Sequence, residues 1–270
     1  MEVLITICGR AGSKGAKNKN FRLFLGKPLI YYTIKSAKLF KKNSTDLNID
    51  ICINSDNLIA KEIAEEEKIT FIERPNKLAM DKTPKVDAIR DVLIKMEKNK
   101  NKKYDYVIDL DITAPLRKTQ DIRSAFEQIV STKVDVVFSV VPARRNPYFN
   151  MVERDEKGKI VFSKPVAYTC RQDAPEVYDM NASIYCYDRN TLIDTSKDPF
   201  DEKIEIIIMP EVYVVDIDHE EDFNVMECLV KNYYKDEFKE IFLWKNVKYK
   251  RNWLCKGILN YSCIIKSFNS

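Results

Sequence analysis

Three glycines spaced three residues apart follow an apolar run near the start of the chain. They are Gly9, Gly12 and Gly15, with basic side chains among and just after them at Arg10, Lys14, Lys17 and Lys19. Glycine lets the backbone approach a ligand closely, and backbone N–H groups together with cations bind phosphate. The spacing therefore predicts a strand that leads into a nucleotide-phosphate loop. The alternative is a surface turn with solvated lysines.

This loop matches neither of two common nucleotide-binding motifs. Lys14 stands where a Walker loop has its second glycine, and Ala11 stands where a dinucleotide fingerprint has a glycine. If the loop binds a nucleotide, it belongs to another class of phosphate loop.

Two aspartates, Asp216 and Asp218, stand two residues apart late in the chain. On a strand their side chains would share one face, and two carboxylates on one face repel each other unless a cation lies between them. Oxygen ligands of this kind suit Mg²⁺ together with substrate phosphates. The alternative is that Asp218 caps the following helix and Asp216 is solvated. His219, the only histidine, has no visible partner and receives no catalytic role.

Further polar residues follow other predicted strands. Asp109 and Asp111 alternate at the end of one strand, and Arg117 beyond them is a possible anion contact, with helix-entry capping as the alternative. Other polar segments are Arg74-Pro75, Arg171-Gln172-Asp173 and Asn181-Ala182-Ser183. Taken singly these segments are typical of loops, but together they predict a polar crevice.

The elements that must position these residues alternate between strand and helix. Apolar periodicity predicts strands around Ile5 and at 49–53, 69–72, 106–110, 134–141, 183–187 and 211–215, and helices at about 28–39, 55–68, 83–96, 119–130 and 219–234. This alternation favours an α/β fold, a Rossmann-like mostly parallel sheet with helices on both faces. Ligands of such sheets bind at the carboxyl ends of the strands.

The chain departs from this rhythm in two places. Residues 143–182 contain a β-hairpin pattern at 151–162 and little helical periodicity, which predicts an arm, lid or dimerisation element. Residues 1–234 form the predicted main domain, and residues 235–270 form a tail of unknown role.

Composition limits the function classes. Among 270 residues, 45 are basic and 41 acidic, and this balance does not indicate a nucleic-acid partner. The seven cysteines form no C-x-x-C pair and are expected to be free thiols. We expect no signal peptide, no membrane span and a reduced, cytoplasmic location.

Five segments, taken in order, resemble the acylneuraminate cytidylyltransferases, the CMP-sialic acid synthetases, a family that includes members acting on legionaminic acid. They are Gly9–Gly15 with Lys19-Asn20, Arg74-Pro75, Ile112–Arg117, Arg171–Asp173 with Asn181-Ala182, and Asp216–Asp218. The resemblance spans residues 3 to about 234. It implies that a nine-carbon 2-keto sugar acid attacks the α-phosphate of CTP, forming a CMP-sugar and releasing pyrophosphate.

The resemblance also implies roles for individual residues. Arg10, Lys14, Asp216 and Asp218 would be catalytic, the two aspartates as Mg²⁺ ligands. The nucleotide would be bound by Arg10, Gly12, Ser13, Lys14, Lys19, Asn20 and Arg74. The sugar would be bound by Asp111, Arg171, Gln172 and Asn181. The hairpin excursion would be a dimerisation arm, and Arg171 would reach the neighbouring subunit's sugar site in a homodimer.

The chain departs from the family pattern in three places. Cys8-Gly9 replaces Pro-Ala and Ala11 replaces a glycine. Asp111 replaces a glutamine that contacts the sugar. Because a carboxylate only accepts hydrogen bonds, legionaminic and pseudaminic acids stay open beside N-acetylneuraminic acid. Two other readings are a related nucleotidyltransferase, acting on an eight-carbon sugar acid or another sugar, and a nucleotide-binding protein without catalysis.

Overall fold

A computed structural model describes residues 1–12, 16, 18–164, 168, 170–234 and 236–242. Its strands are β1 (Glu2–Cys8), β2 (Leu23–Phe24), β3 (Lys27–Pro28), β4 (Asn48–Ser55), β5 (Thr70–Glu73), β6 (Tyr106–Leu110), β7 (Val136–Pro142), β8 (Val152–Arg154), β9 (Ile160–Phe162), β10 (Tyr178–Asp188) and β11 (Ile204–Ile208). Its α-helices are α1 (Ile30–Asn43), α2 (Leu58–Glu66), α3 (Lys85–Lys100), α4 (Thr119–Thr132), α5 (Arg189–Ile193), α6 (Glu220–Asn232) and α7 (Lys239–Phe242).

Seven strands form one sheet in the order β11-β7-β10-β6-β1-β4-β5. Six of them run in the same direction, and β10 pairs antiparallel with both β6 and β7. The mostly parallel α/β sheet predicted from the alternation of strands and helices is confirmed. The carboxyl ends of the six parallel strands therefore share one edge, where ligands of such folds bind.

Helices cover both faces of the sheet. Alternate residues of β1 divide between two hydrophobic clusters: Val3, Ile5 and Ile7 belong to one, and Leu4 belongs to the other. The first cluster includes buried residues of α1, α2, α4 and α6, and the second includes those of α3. A strand buried on both faces explains why β1 is continuously apolar.

The structure corrects two strand predictions in the C-terminal half of the chain. The predicted strand at 211–215 is wrong, because Glu211–Val214 forms a 3-10 helix directly after Pro210. The edge strand is instead β11, which sequence reasoning missed. Strand β10 also starts earlier than predicted, since it continues through an irregularity between Met180 and Tyr185 where Ala182 has a φ of 53°.

The excursion from the sheet contains the predicted hairpin, formed by β8 and β9. Only the start of the predicted tail lies within the described residues. There, Phe238 and Ile241 are buried, and the Phe242 ring centroid lies 4.7 Å from that of Tyr32. None of the helices in the described ranges combines the length and apolar character that a membrane crossing requires.

Candidate active site

The loop after β1 crosses the carboxyl edge of the sheet at close range. The Gly9 N–H donates to the Asn54 carbonyl of neighbouring β4 at 3.0 Å. A methyl group added at Gly9 would lie 2.5 Å from Cδ1 of Ile112 and 3.1 Å from Nδ2 of Asn20. A glycine is therefore required here for close packing, and Asn20 in turn donates to the Arg10 carbonyl at 3.2 Å.

The Arg10 side chain lies at this edge but is already paired. It forms an ion pair with Asp81 and lies 3.5 Å from the Ala79 carbonyl, both in the segment between β5 and α3. Gly12 has a φ of 71°, a conformation that favours glycine. Ser13, Lys14, Gly15 and Lys17 lie outside the described residues, so their predicted phosphate contacts stay predictions.

Arg74 follows β5 and is 6% exposed. Its Nε donates to Oδ1 of Asn54 at 2.7 Å, and its backbone N–H donates to the Ser55 carbonyl at 3.0 Å. These contacts fix the guanidinium plane. Its Nη2 is buried and has no hydrogen-bond partner within the described part of the chain. A buried donor of this kind costs about 1–3 kcal/mol unless something accepts its hydrogen bond.

Asp216 and Asp218 lie close to the first loop, although not on a strand. They occupy the coil between the 3-10 helix Glu211–Val214 and α6, so the predicted shared strand face is wrong. Lys19 Nζ lies 2.7 Å from Oδ1 of Asp218, and the Ala16 N–H donates to the Asp218 carbonyl at 2.9 Å. The alternative that Asp218 caps α6 is also wrong.

Asp222 supplies the cap of α6 in place of Asp218. Its Oδ2 accepts from the backbone N–H groups of Asp218 and His219 at 2.8 and 2.6 Å. This contact satisfies backbone donors at the start of the helix. The Asp218 side chain is thus left to pair with Lys19.

The Asp216 carboxylate is suited to a cation. Burial raises its pKa, and the nearby charges of Asp111 and Asp218 raise it further. Its Oδ1 is buried without a hydrogen-bond partner among the described residues. Crowded, desolvated carboxylates of this kind are stabilised by proton uptake or by a metal ion.

Asp111 belongs to a second charged group on the floor of the crevice. Lys85 Nζ lies 2.7 Å from Oδ2 of Asp109 and 2.5 Å from Oδ2 of Asp111. Thr113 donates to Oδ1 of Asp111 through its backbone N–H at 3.0 Å and its hydroxyl at 2.9 Å. Although burial alone would raise the pKa of Asp111, Lys85 and Thr113 hold that pKa below its ordinary value.

Arg117 does not serve as the anion contact considered from the sequence. It is fully buried and donates to the carbonyls of Ser183 at 2.6 Å, Ala114 at 2.8 Å and Asp111. Burial lowers its pKa to about 10. Its contacts join the loop after β6 to β10, so its role in this structure is to hold the crevice wall together.

The predicted sugar ligands fall into two groups. Asn181 is 1% exposed, its Oδ1 accepts from the Ser139 hydroxyl at 2.6 Å and its Nδ2 donates to the Tyr213 carbonyl at 3.3 Å. This places the Asn181 amide inside the fold rather than at the crevice surface, contrary to expectation. Arg171 and Gln172 begin a 3-10 turn ending at Asp173, in the excursion, where Gln172 is exposed.

Sequence reasoning missed three residues of this site. Asn54 orients Arg74, Asp81 pairs with Arg10, and Lys85 joins Asp109 to Asp111. A signal existed for Asn54, because it precedes the end of a parallel strand. Lys85 directly follows Pro84 at the start of a helix, and nothing in that local pattern indicates its partners.

Comparison with known proteins agrees with this geometry. The chain matches the model of a family described as cytidylyltransferase over residues 4–241. It is 41% identical over 233 residues to the post-translational flagellin modification protein B of Campylobacter coli, covering 85% of this chain and 95% of the relative. It is 40% identical over 234 residues to the CMP-N,N'-diacetyllegionaminic acid synthase of Campylobacter jejuni, with the same coverage.

The fold also resembles solved nucleotidyltransferase structures. A CMP:2-keto-3-deoxy-manno-octonic acid synthetase complexed with CTP aligns with a TM-score of 0.63 at 15% identity, covering 86% of this chain and 99% of that one. A 4-diphosphocytidyl-2C-methyl-D-erythritol synthase from Anaerococcus prevotii aligns with a TM-score of 0.58 at 14% identity, covering 85% and 96%. These identities support the fold alone. The family resemblance expected from the five segments is confirmed by the family match and the close relatives, and the chain belongs to the cytidylyltransferase family of nucleotidyltransferases.

Proposed function

We propose that this protein transfers CMP from CTP to a nine-carbon 2-keto sugar acid, with N,N'-diacetyllegionaminic acid as the leading candidate. The observation that carries the proposal is a pair of buried polar atoms, Arg74 Nη2 and Asp216 Oδ1, that have no hydrogen-bond partner among the described residues. Arg74 follows β5, and Asp216 follows the 3-10 helix after β11. Arg74 Nη2 requires a hydrogen-bond acceptor, and Asp216 Oδ1 requires a cation or a hydrogen-bond donor. The choice of sugar acid is supported by the relative at 40% identity, whose name specifies N,N'-diacetyllegionaminic acid.

The reaction exchanges one phosphorus–oxygen bond for another. The anomeric hydroxyl oxygen of the sugar acid bonds to the α-phosphorus and its proton is released to solvent. The bond from that phosphorus to the bridging oxygen breaks, and pyrophosphate leaves with the electron pair of that bond. Such a transfer depends on positioning and on neutralising phosphate charge more than on covalent help from the protein. Arg10 and Lys14 would neutralise the triphosphate, and Arg74 would bind the nucleoside end.

A divalent metal ion fits the residues at the other side of this site. Asp216 and Asp218 would hold Mg²⁺, since hard cations favour carboxylate oxygens and Oδ1 of Asp216 has no hydrogen-bond partner among the described residues. Bound there, the ion would neutralise phosphate charge. Lys19 already contacts Asp218 and would orient that carboxylate.

The direct test measures pyrophosphate release with CTP and Mg²⁺ across four acceptors. They are N,N'-diacetyllegionaminate, pseudaminate, N-acetylneuraminate and the eight-carbon 2-keto acid. We expect release with a nine-carbon acid and the highest kcat/KM with the legionaminate. Release with the eight-carbon acid alone would contradict the proposal, as would CTP binding without release from any acceptor.

A matched pair of variants tests the metal ligands. Asp218→Asn should reduce Mg²⁺-dependent turnover by about tenfold or more, because the amide removes the negative charge that binds the cation. Asp46→Asn serves as the control, since Asp46 lies before β4 at the opposite edge of the sheet and is similarly exposed, at 64% against 61% for Asp218. Equal loss in both variants, or none in Asp218→Asn, would remove Asp218 from the metal site.

The proposal includes a homodimer that forms through the excursion. The hairpin of β8 and β9 exposes Val152, Ile160 and Phe162 at 59, 52 and 57%. A contiguous apolar patch of this kind indicates an interaction site. Phe162→Glu should shift the mass measured by light scattering from dimer to monomer, whereas Val225→Glu on α6, 49% exposed, should not. A monomeric wild-type protein would contradict this part of the proposal.

A reduced, cytoplasmic location is also part of the proposal.

A further inference from the structure

Lys85 connects two carboxylates that differ in their surroundings. Asp109, inside β6, is fully buried and accepts from the Thr6 hydroxyl at 2.7 Å. Asp111, after the strand, keeps 19% of its side chain exposed. Lys85 itself is 34% exposed, so its ammonium group spans from the buried carboxylate to the one that borders the crevice.

This cluster lies beside the proposed reaction site. The Ile217 backbone N–H donates to the Thr113 carbonyl at 3.0 Å, which joins the segment of Asp216 to the loop after β6. Thr113 also contacts Asp111 with both its hydroxyl and its backbone N–H. Asp111 and Lys85 therefore border the same crevice as the proposed metal ligands.

The remaining hydrogen-bonding capacity of the cluster determines what it can bind. Oδ1 of Asp111 already accepts two bonds from Thr113, and Oδ2 accepts one from Lys85. A carboxylate oxygen accepts about two bonds, so Oδ2 has one acceptor position left. An ammonium group has three donors. Lys85 donates one hydrogen bond to Asp111, whereas its contact with Oδ2 of Asp109 at 2.7 Å is an ion pair, and that oxygen accepts no hydrogen bond from the described residues. Lys85 therefore keeps donor capacity for a ligand.

The charge of the cluster further limits which ligand groups it can bind. The Arg117 guanidinium adjoins the cluster, since it donates to the Asp111 carbonyl, so Lys85 and Arg117 together balance the two carboxylates. The cluster therefore offers no excess positive charge to attract a triphosphate or a sugar carboxylate. A neutral group that donates one hydrogen bond and accepts another matches the remaining positions on Asp111 and Lys85.

We propose that Lys85 is a specificity-determining residue of the acceptor site: with Asp111 it forms a donor–acceptor pair that recognises a neutral acylamino or hydroxyl substituent of the sugar acid. Lys85 also fixes the orientation of Asp111 from the opposite side to Thr113. This inference rests on the proposed function and assigns a second residue to its acceptor subsite.

Steady-state kinetics of Lys85→Met, with CTP and the acceptor varied separately, tests the pair. The loss of a charge-assisted contact should raise the KM for the acceptor about tenfold or more, while the KM for CTP changes less than about twofold. Lys95→Met is the control, since Lys95 lies on the same helix, is 37% exposed and pairs with Asp91 at 2.6 Å. It should leave both KM values unchanged.

A second variant covers the case in which Lys85→Met fails to fold. Lys85→Met would leave Asp109 buried without its cation, and Lys85→Met/Asp109→Asn removes that charge while keeping an oxygen for Thr6. The double variant should show the same selective rise in acceptor KM. An unchanged acceptor KM, or an equal rise in the KM for CTP, would overturn the assignment of Lys85. Wild-type protein that turns over no nine-carbon acid would instead overturn the proposed function on which the assignment rests.

Discussion

Gly9 is the position where the structure makes the sharpest prediction about a single methyl group. The added Cβ of Gly9→Ala would lie 2.5 Å from Cδ1 of Ile112, well inside van der Waals contact, and 3.1 Å from Nδ2 of Asn20. Ile112 is 1% exposed and has no solvent to move into. Overpacking of this kind costs about 1–3 kcal/mol of unfolding free energy.

The measured quantity is the melting temperature. For a domain of this size each kcal/mol lowers Tm by about 2–4 °C, so Gly9→Ala should lower it by about 2–12 °C. Because the added methyl group clashes with Cδ1 of Ile112, the substitution Ile112→Val removes the atom that causes the clash. Alone, Ile112→Val should cost about 0.5–1.5 kcal/mol. The double variant Gly9→Ala/Ile112→Val should lose less unfolding free energy than the sum of the losses in the two single variants.

Gly12→Ala is the matched control. No atom of the described residues lies within 4 Å of a methyl group added at Gly12, but the φ of Gly12 is 71°, so the cost of about 1–2 kcal/mol is conformational. Ile112→Val should therefore not relieve Gly12→Ala. Strict additivity of Gly9→Ala with Ile112→Val, or relief of both glycine variants alike, would refute the steric argument.

Three further outcomes are expected. Asp81→Asn should lower the KM for CTP up to about fivefold, because a partly exposed ion pair that holds Arg10 is worth about 0–1 kcal/mol; a higher KM would mean that Asp81 assists nucleotide binding. Lys14→Ala should raise the KM for CTP, and unchanged CTP kinetics would contradict the phosphate-loop prediction. In alkylation at pH 8 followed by mass spectrometry, exposed Cys228 should react well before Cys8, because burial raises the pKa of the Cys8 thiol to about 12; equal rates would contradict that burial.

Local sequence pattern was sufficient for most of the sheet but not for its irregular edge. Apolar runs predicted β1, β4, β6 and β7, with interruptions such as Asp50 in the range 49–53 and Asp109 in the range 106–110. Strands buried on both faces lack a regular polar alternation. The edge strand β11 was missed, and the 3-10 helix after Pro210 was taken for a strand instead. A short apolar run of that kind fits several backbone conformations, and tertiary packing decides among them.

The candidate site shows the same limit for ligand roles. Arg10 and Arg74 lie at the carboxyl edge as expected, because each follows a parallel strand. Asp216 also lies near the first loop, although it follows a 3-10 helix and not the strand predicted there. The sequence could not reveal that Asp81 holds Arg10, since the two lie 71 positions apart and only the folded chain brings them together. Nor could the sequence show that the Asn181 amide forms hydrogen bonds with the Ser139 hydroxyl and the Tyr213 carbonyl.

Arg74 and Arg117 differ in how their guanidinium groups are engaged, and this difference supports the proposed binding role of Arg74 and a structural role for Arg117. Both are buried arginines in loops after parallel strands, Arg74 directly before Pro75 and Arg117 two residues after Pro115. From the sequence Arg117 is a possible anion contact, and the family resemblance implies that Arg74 binds the nucleotide. The Arg117 guanidinium donates to three backbone carbonyls, so an anion would have to displace bonds that close the crevice wall. Arg74 is held by its Nε and keeps Nη2 buried without a partner in the described chain. An acceptor at Nη2 would satisfy a donor that folding has already desolvated and oriented. Arg117 also has a buried donor without a partner among the described residues, its Nε, but both of its terminal nitrogens are engaged by carbonyls.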